Sequence, residues 1–287
     1  MEKEKSELLW KKVISEADNV PALPEIVNKV LEQIENPKST PQDFEEIISK
    51  DAVLTAKVLK VSNSAYYGYS RRIDTIRQAI IILGIDTLKS LVIAASAYAS
   101  LKNPSEGYGL SKDDLWRHSL AVAVGARLIA KQFGFKDVER FFVGGLLHDI
   151  GKILLGPHII NYIDEIRNIA KMSDTSFNLV EKQILGFNHC DVGAELANHW
   201  KLPSLFYDIN LFHHTPYECV SENSKIVEII HIADILVYSY KIGLGLDGQF
   251  YKPASEIFEK YNIDKKAKEE LGDKIYKNFR ELERTIR

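Results

Sequence analysis

The sequence predicts an all-α protein. Apolar residues recur at three- and four-residue spacings along nearly the whole chain, and no segment alternates with a period of two. Thr, Ser, Asp or Asn also stands where many of the apolar stripes begin, as helix caps do. With 287 residues, 45% of them hydrophobic, the chain can build one large domain or two smaller ones. A net charge of -3 gives no overall bias toward nucleic acid or an anionic membrane.

In chain order, a short helix is expected over 8–17. The punctuated segment Val20-Pro21-Ala22-Leu23-Pro24 follows, and Ile26, Val27, Val30, Leu31 and Ile34 mark a second helix that stops before Pro37. Thr40, Pro41 and Asp43 form a start signal of hydroxyl cap, proline at the first helical position and carboxylate at the third. That helix buries Phe44, Ile47 and Ile48, and Asp51 caps another carrying Leu54, Val58, Leu59 and Val61. The pair has the outline of a helix-turn-helix. Asp43, Glu45 and Glu46 lie just ahead of Lys57 and Lys60, however, so two packed helices are expected rather than a DNA-reading unit. Segments 73–83 and 88–99 form a further pair, with Gly84 as a left-handed cap and Asp86 restarting the chain. The stretch 102–109, with Pro104 and two glycines, reads as a linker.

Beyond it, Ser111 with Asp114 caps a helix whose stripe holds Leu115, His118, Val122, Gly125, Ala126 and Ile129. Asp137 caps the helix that ends at His148-Asp149; its Gly144 and Gly145 imply close approach by another helix. Helices are expected over 159–170 and 177–185, the latter carrying Glu181 and ending at Gly186. Asn188-His189-Cys190-Asp191 opens a helix buried along Val192, Leu196 and Trp200. Leu202-Pro203 breaks it, and a short helix leads into His213-His214-Thr215-Pro216. The apolar segment 226–242 includes His231 and Asp234, and after a glycine-rich turn over 243–248 the tail from 264 is amphipathic.

The N-terminus is charged with no apolar signal segment behind it, and the longest apolar runs, 91–99 and 120–130, fall short of the roughly 20 residues a bilayer span needs. Arg127 interrupts the second run. Cys190 and Cys219 are the two cysteines and have no CxxC spacing, which argues against a zinc ribbon or a disulfide scaffold and fits a reducing compartment. A cytoplasmic protein without membrane association is expected.

Several polar residues fall on faces that should be buried. His118 shares the apolar stripe of its helix, and His148 and Asp149 end a second buried helix. His189 begins a third, His213 and His214 end a fourth, and Asp234 interrupts the face shared by Ile230 and Val237. Buried imidazoles and carboxylates each need a partner. They can satisfy one another around a divalent metal, or form a hydrogen-bonded network without one. Mixed imidazole and carboxylate donors suit one or two ions of Fe, Mn, Zn or Ni. His158, His199 and His231 have weaker claims, lying at a helix start or one step off the core stripes.

These residues follow the order of the HD superfamily of metal-dependent phosphohydrolases. The flanking text is more particular: Leu54-Thr55-Ala56-Lys57-Val58-Leu59, Asn63-Ser64-Ala65-Tyr66-Tyr67-Gly68, the run 145–152, Glu181, the run 186–193, Trp200-Lys201-Leu202-Pro203 and His213-His214-Thr215-Pro216. Over 20–217 the chain resembles the HDOD family, the HD-related output domain of bacterial signalling. The linker is expected to separate an N-terminal helical half over 20–105 from an HD-like half over 110–217, with a helix over 1–19 ahead and C-terminal helices over 218–287 completing the HD-like half. The resemblance implies a regulatory module acting through a signalling protein partner. The alternative is a phosphohydrolase, with His118, His148, Asp149, His189, His213, His214 and Asp234 as metal ligands and Lys152 offsetting charge on the phosphate. Asp114, one turn before His118, could stand as an additional carboxylate. Thr215-Pro216-Tyr217-Glu218 stands where related cyclic-di-GMP phosphodiesterases carry DGxGYP, which argues against that substrate.

Overall fold

The computed structural model describes residues 3–20, 29–30, 40–69 and 72–286. Among them the regular structure is helical, with no strand and one isolated antiparallel bridge between Ser105 and Leu110. No described helix is long and apolar enough to cross a membrane. The expected helix around 26–34 lies largely outside the described residues.

Helix α1 (Lys3–Ser15) is followed by a 3-10 turn over Ala17–Asn19. Helix α2 (Pro41–Ser49) starts on a complete capping box, in which Thr40 accepts from the Asp43 backbone and Asp43 accepts from that of Thr40. Asp51 caps α3 (Ala52–Ser62) by accepting from the N–H groups of Val53 and Leu54. Helix α4 (Ile76–Leu83) begins three residues later than its apolar pattern suggests, because Thr75 is the cap. Gly84, at φ 84° and ψ 155°, joins it to α5 (Ile85–Leu101) in an extended, positive-φ conformation rather than the left-handed helical one. The buried faces of α2, α3, α4 and α5 close one small core around Phe44, Ile48, Val58, Ile76 and Leu88.

A larger core is built by α6 (Asp114–Gln132), α7 (Val138–Leu147), α8 (Gly151–Ile159), α9 (Ile163–Ser173), α10 (Phe177–Leu185), α11 (His189–His199), α12 (Ser204–Phe212), α13 (Ser224–Ser239), α14 (Ser255–Lys260) and α15 (Lys265–Ile286). Helix α1 packs on α8 and α11. Helix α8 (Gly151–Ile159) is one the sequence pattern missed. Gly151, Gly156 and Pro157 lower its propensity, and tertiary packing overrides them.

Glycine spacing explains how closely these helices pack. A Cβ on Gly145 would lie 2.9 Å from the Cα and N of Ala123, so α7 crosses the backbone of α6 here. On Gly151 a Cβ would lie 1.9 Å from the His189 carbonyl oxygen, which brings the start of α8 against the start of α11. The expected linker 102–109 is part of the packed structure. Tyr108 is fully buried, Ser105 donates to the Lys152 carbonyl at 3.0 Å, and Gly107 sits against the backbone of Gly156.

Arg127 fastens the segment after α3 to the larger core. Its guanidinium pairs with Glu139 at 2.8 Å, contacts the Tyr67 hydroxyl at 3.2 Å, and lies over the rings of Tyr66, Tyr67 and Phe142. The charge that interrupts an apolar run is therefore the tie between α6, α7 and the Tyr66-Tyr67 segment.

Candidate metal centre

Local folding sets each side chain. His148 follows the last residue of α7, and its Nδ1 lies 2.8 Å from the Gly145 carbonyl. His213 follows α12, with its Nδ1 2.9 Å from the Asn210 carbonyl. A helix end leaves carbonyls without intrahelical partners, and these two imidazoles take them. His189 opens α11 behind the capping box of Asn188 and Asp191, and its Nδ1 lies 2.5 Å from Glu181 Oε2. Tyr108 donates to the other Glu181 oxygen at 2.6 Å. These carbonyl and carboxylate acceptors require N–H at each Nδ1, so in the neutral rings Nε2 is the free nitrogen, the arrangement that outer partners impose on metal-ligating histidines.

Those nitrogens converge on two carboxylates. His118 Nε2 lies 3.0 Å from Asp234 Oδ1 and 4.0 Å from Asp149 Oδ2. His148 Nε2 is 3.6 Å from both of these oxygens. On the other side of Asp149, its Oδ1 faces His189 Nε2 at 3.6 Å and His213 Nε2 at 3.8 Å. His214 Nδ1 lies 3.7 Å from Asp234 Oδ2. One carboxylate thus addresses two groups of imidazoles through its two oxygens.

The donor set fits a cation better than a self-satisfied network. His118 Nε2, His148 Nε2, His213 Nε2, His214 Nε2, Asp149 Oδ1 and both oxygens of Asp234 are buried without a hydrogen bond of normal geometry. In a closed network nearly all would be paired. Acceptor nitrogens instead face acceptor oxygens at separations mostly too long for hydrogen bonds, with room for an ion bonded to each at about 2.1 Å. Two groups of ligand atoms, one from His118, His148 and Asp149 and one from His189, Cys190, His213 and His214, could each hold a metal.

Burial shapes the electrostatics. It pushes His213 down to about 3, aided by His148, and holds His214 well below the ordinary histidine value, aided by His213. Both are therefore neutral and competent as ligands at neutral pH. Burial opposes charge on Asp149, but Lys152 and the surrounding imidazoles keep it well below the usual carboxylate range. Burial opposes charge on Asp234 as well, and His118 and His148 overcome it. For His148, Asp149 and Asp234 outweigh desolvation and raise the pKa.

Lys152 lies 2.7 Å from Asp149 Oδ2 and 2.7 Å from Asp247 Oδ2. Burial alone would discharge it, and these two carboxylates hold it charged. Tyr251 donates to the same Asp247 oxygen at 2.9 Å and stacks on His214, with centroids 3.9 Å apart and planes 16° from parallel. Tyr238 stacks on both His118 and Tyr251. The segment after α13 therefore closes the cluster with a carboxylate on the lysine and a ring on the histidines. Every expected ligand is buried.

The structure brings together all seven expected ligands and Lys152. Asp114 is not among them; its carboxylate accepts from the Ser111 N–H at 2.9 Å, and α6 starts at Asp114. His158 pairs with Glu16 and His199 with Asp18, both at 3.0 Å, anchoring the N-terminal segment. His231 supports the centre from behind, with its Nδ1 2.8 Å from the His213 carbonyl. Asp247, Tyr251 and Tyr238 escaped the sequence reading, because a carboxylate in a glycine-rich turn and two tyrosines carry no spacing signal.

The family model for the HDOD domain matches residues 20–216. An uncharacterised protein of Treponema pallidum (strain Nichols) is 24% identical over 221 residues, which cover 77% of this chain and 42% of that protein. The chain thus spans less than half the length of this curated relative. An HDOD domain protein of Geobacter sulfurreducens, of unknown function, has a fold similar to this chain at TM-score 0.73 and 24% identity, covering 96% of this chain and 97% of its own. A Shewanella amazonensis SB2B protein, provisionally named a phosphohydrolase, matches at TM-score 0.70 and 26% identity, over 96% and 98% of the two chains. A Marinobacter aquaeolei VT8 protein, provisionally named in signal transduction, matches at TM-score 0.69 and 18% identity, over 93% of this chain and 59% of that one.

Proposed function

The chain belongs to the HDOD family, and from that premise we propose that it is a regulatory module of bacterial signal transduction whose buried His/Asp cluster holds divalent metal. The observation that carries this reading is the closure of the cluster. Tyr251 covers His214, and Asp247 occupies the side of Lys152 not used by Asp149. A phosphoester would need that same lysine and that same space. In this role His118 of α6, Asp234 of α13 and the side chains at the end of α7, the start of α11 and the end of α12 would be held together on bound metal, and a signalling protein partner would read the assembled surface.

Elemental analysis of the purified protein tests the metal, with near-stoichiometric Fe, Mn, Zn or Ni expected and most of it lost in Asp149→Ala. A hydrolysis panel of nucleotides, cyclic dinucleotides and generic phosphodiesters with added Mn or Fe tests the regulatory reading. No turnover is expected. Turnover that Asp149→Ala abolishes would replace it with the second reading, a metal-dependent phosphohydrolase.

One observation favours that second reading: the two oxygens of Asp149 face two separate sets of imidazoles. Bound divalent ions would supply Lewis acidity toward a phosphoester. Asp149 would hold both positions, His118, His148 and Asp234 one of them, and His189, His213 and His214 the other. Lys152, freed from Asp247, would bind a phosphate oxygen and offset its charge. Glu181 would hold the His189 ring in place, and Tyr238 and Tyr251 would exclude bulk water.

A further inference from the structure

The two sides of Asp149 differ in chemistry. The side toward His118, His148 and Asp234 offers nitrogen and oxygen alone. The other side includes Cys190, the second residue of α11, 2% exposed, with its Sγ 3.5 Å from His189 Nε2. That sulfur and the ligand nitrogens of His189, His213 and His214 lie within 4.8 Å of one another. His213 Nε2 and His214 Nε2 are buried and have no hydrogen-bond partner, so unpartnered donors stand beside the thiol.

Building on the metal centre proposed above, we propose that Cys190 is a ligand at this second position and makes it selective for zinc. Thiolate and imidazole together suit zinc, whereas the imidazole and carboxylate of the first position suit iron or manganese. On ligation the thiol S–H bond breaks, its electron pair forms the S–Zn bond, and the proton leaves to solvent. Burial opposes a free thiolate at Cys190 and His189 only partly offsets it, so the thiol would give up its proton as the metal binds. The centre is then unequal, with a soft half and a hard half sharing Asp149.

X-ray absorption on the zinc-loaded full chain tests this directly, since a Zn–S shell lies at about 2.3 Å and Zn–N at about 2.0–2.1 Å. Cobalt loading gives a second readout, the near-ultraviolet thiolate-to-metal charge-transfer band. Both sulfur signatures are expected in the wild type and in Cys219→Ser, whose thiol lies outside the ligand groups, and both should vanish in Cys190→Ser and Cys190→Ala. The Cys190 variants should retain less than half the zinc after desalting, with manganese content unchanged. A wild-type zinc shell of nitrogen and oxygen alone overturns the cysteine assignment and leaves the metal centre standing. A wild type that retains no metal overturns both.

Discussion

Tyr251 lies nearly flat on the imidazole of His214, and its hydroxyl ends on Asp247, which in turn grips Lys152. A single short segment after α13 therefore covers a proposed ligand and holds a second carboxylate against Lys152. Removing the ring should open the centre without removing a ligand. In Tyr251→Ala, a chelator should strip bound metal at least about ten times faster than in the wild type, at an unchanged starting stoichiometry. Equal stripping rates would mean that the stack does not guard the site.

Glu181 acts through another residue. It holds His189 Nδ1 at 2.5 Å and is itself held by Tyr108 at 2.6 Å. Outer partners of this kind are worth roughly 10- to 100-fold in metal affinity. Glu181→Ala should weaken binding by that order, measured by competition with a calibrated chelator, while Glu181→Gln, which can still accept from the imidazole, should recover part of the loss. Unchanged affinity in both variants would reduce Glu181 to a packing role.

Much of this was legible in the sequence, and the exceptions have physical causes. His118, His148, Asp149, His189, His213, His214 and Asp234 stood out because each interrupts an apolar face, and burial forces such residues to find partners. Helices α2, α10 and α11 were readable from their caps, Thr40 and Asn188, and from the stop at Gly186. Helix α8 was not, since two glycines and a proline hide a segment that neighbouring helices hold in place. Asp247 and Tyr251 belong to irregular backbone, where no period links sequence to direction. Cys190 has no CxxC partner to mark it as a ligand in the sequence, and the proximity of its sulfur to three histidines is visible only in three dimensions.

Gly151 marks the tightest contact at the centre. Its absent side chain admits the His189 carbonyl, and a Cβ there would meet that oxygen at 1.9 Å and the Gly193 nitrogen at 2.6 Å. Gly151→Ala must push α8 and α11 apart, at a cost of about 1–3 kcal/mol from overpacking. Because the displaced residue is a proposed ligand, metal content should fall as well. Chemical denaturation and elemental analysis of the same preparation check both, and an alanine variant with wild-type metal and stability would contradict the close approach.

Arg127 and Glu139 join α6 to α7 through a pair in which both side chains are largely shielded from water, and the same guanidinium holds Tyr67. Arg127→Met keeps the apolar contact with Tyr66, Tyr67 and Phe142 but leaves the Glu139 carboxylate facing the Thr87 hydroxyl without its cation. A loss of about 3 kcal/mol is expected, as for other broken shielded pairs. The double variant Arg127→Met with Glu139→Gln should recover a good part of it. If the single variant melts like the wild type, the ion pair contributes no net stability to the joint.

His231 gives the protein an acid sensitivity of defined sign. Its Nδ1 lies 2.8 Å from the His213 carbonyl, and its Nε2 accepts from the Ala254 N–H at 2.9 Å, so the folded state requires the neutral ring. Burial lowers its pKa below the ordinary 6.5, against smaller opposing contributions from the His213 carbonyl and Asp234. Above pH 6.5 the ring is neutral whether folded or unfolded, and its full contribution to stability is present. As the pH falls below that value the unfolded chain takes up a proton that the folded chain refuses. Stability then declines by up to about 1.4 kcal/mol per pH unit until the folded pKa is reached. His231→Gln can reproduce both hydrogen bonds without titrating. It should be somewhat less stable than the wild type at pH 7.5, by about 1 kcal/mol, and should close or reverse that gap at pH 5. Urea melts at the two pH values decide it, and parallel pH profiles for the two proteins would show that the ring at 231 does not titrate on unfolding.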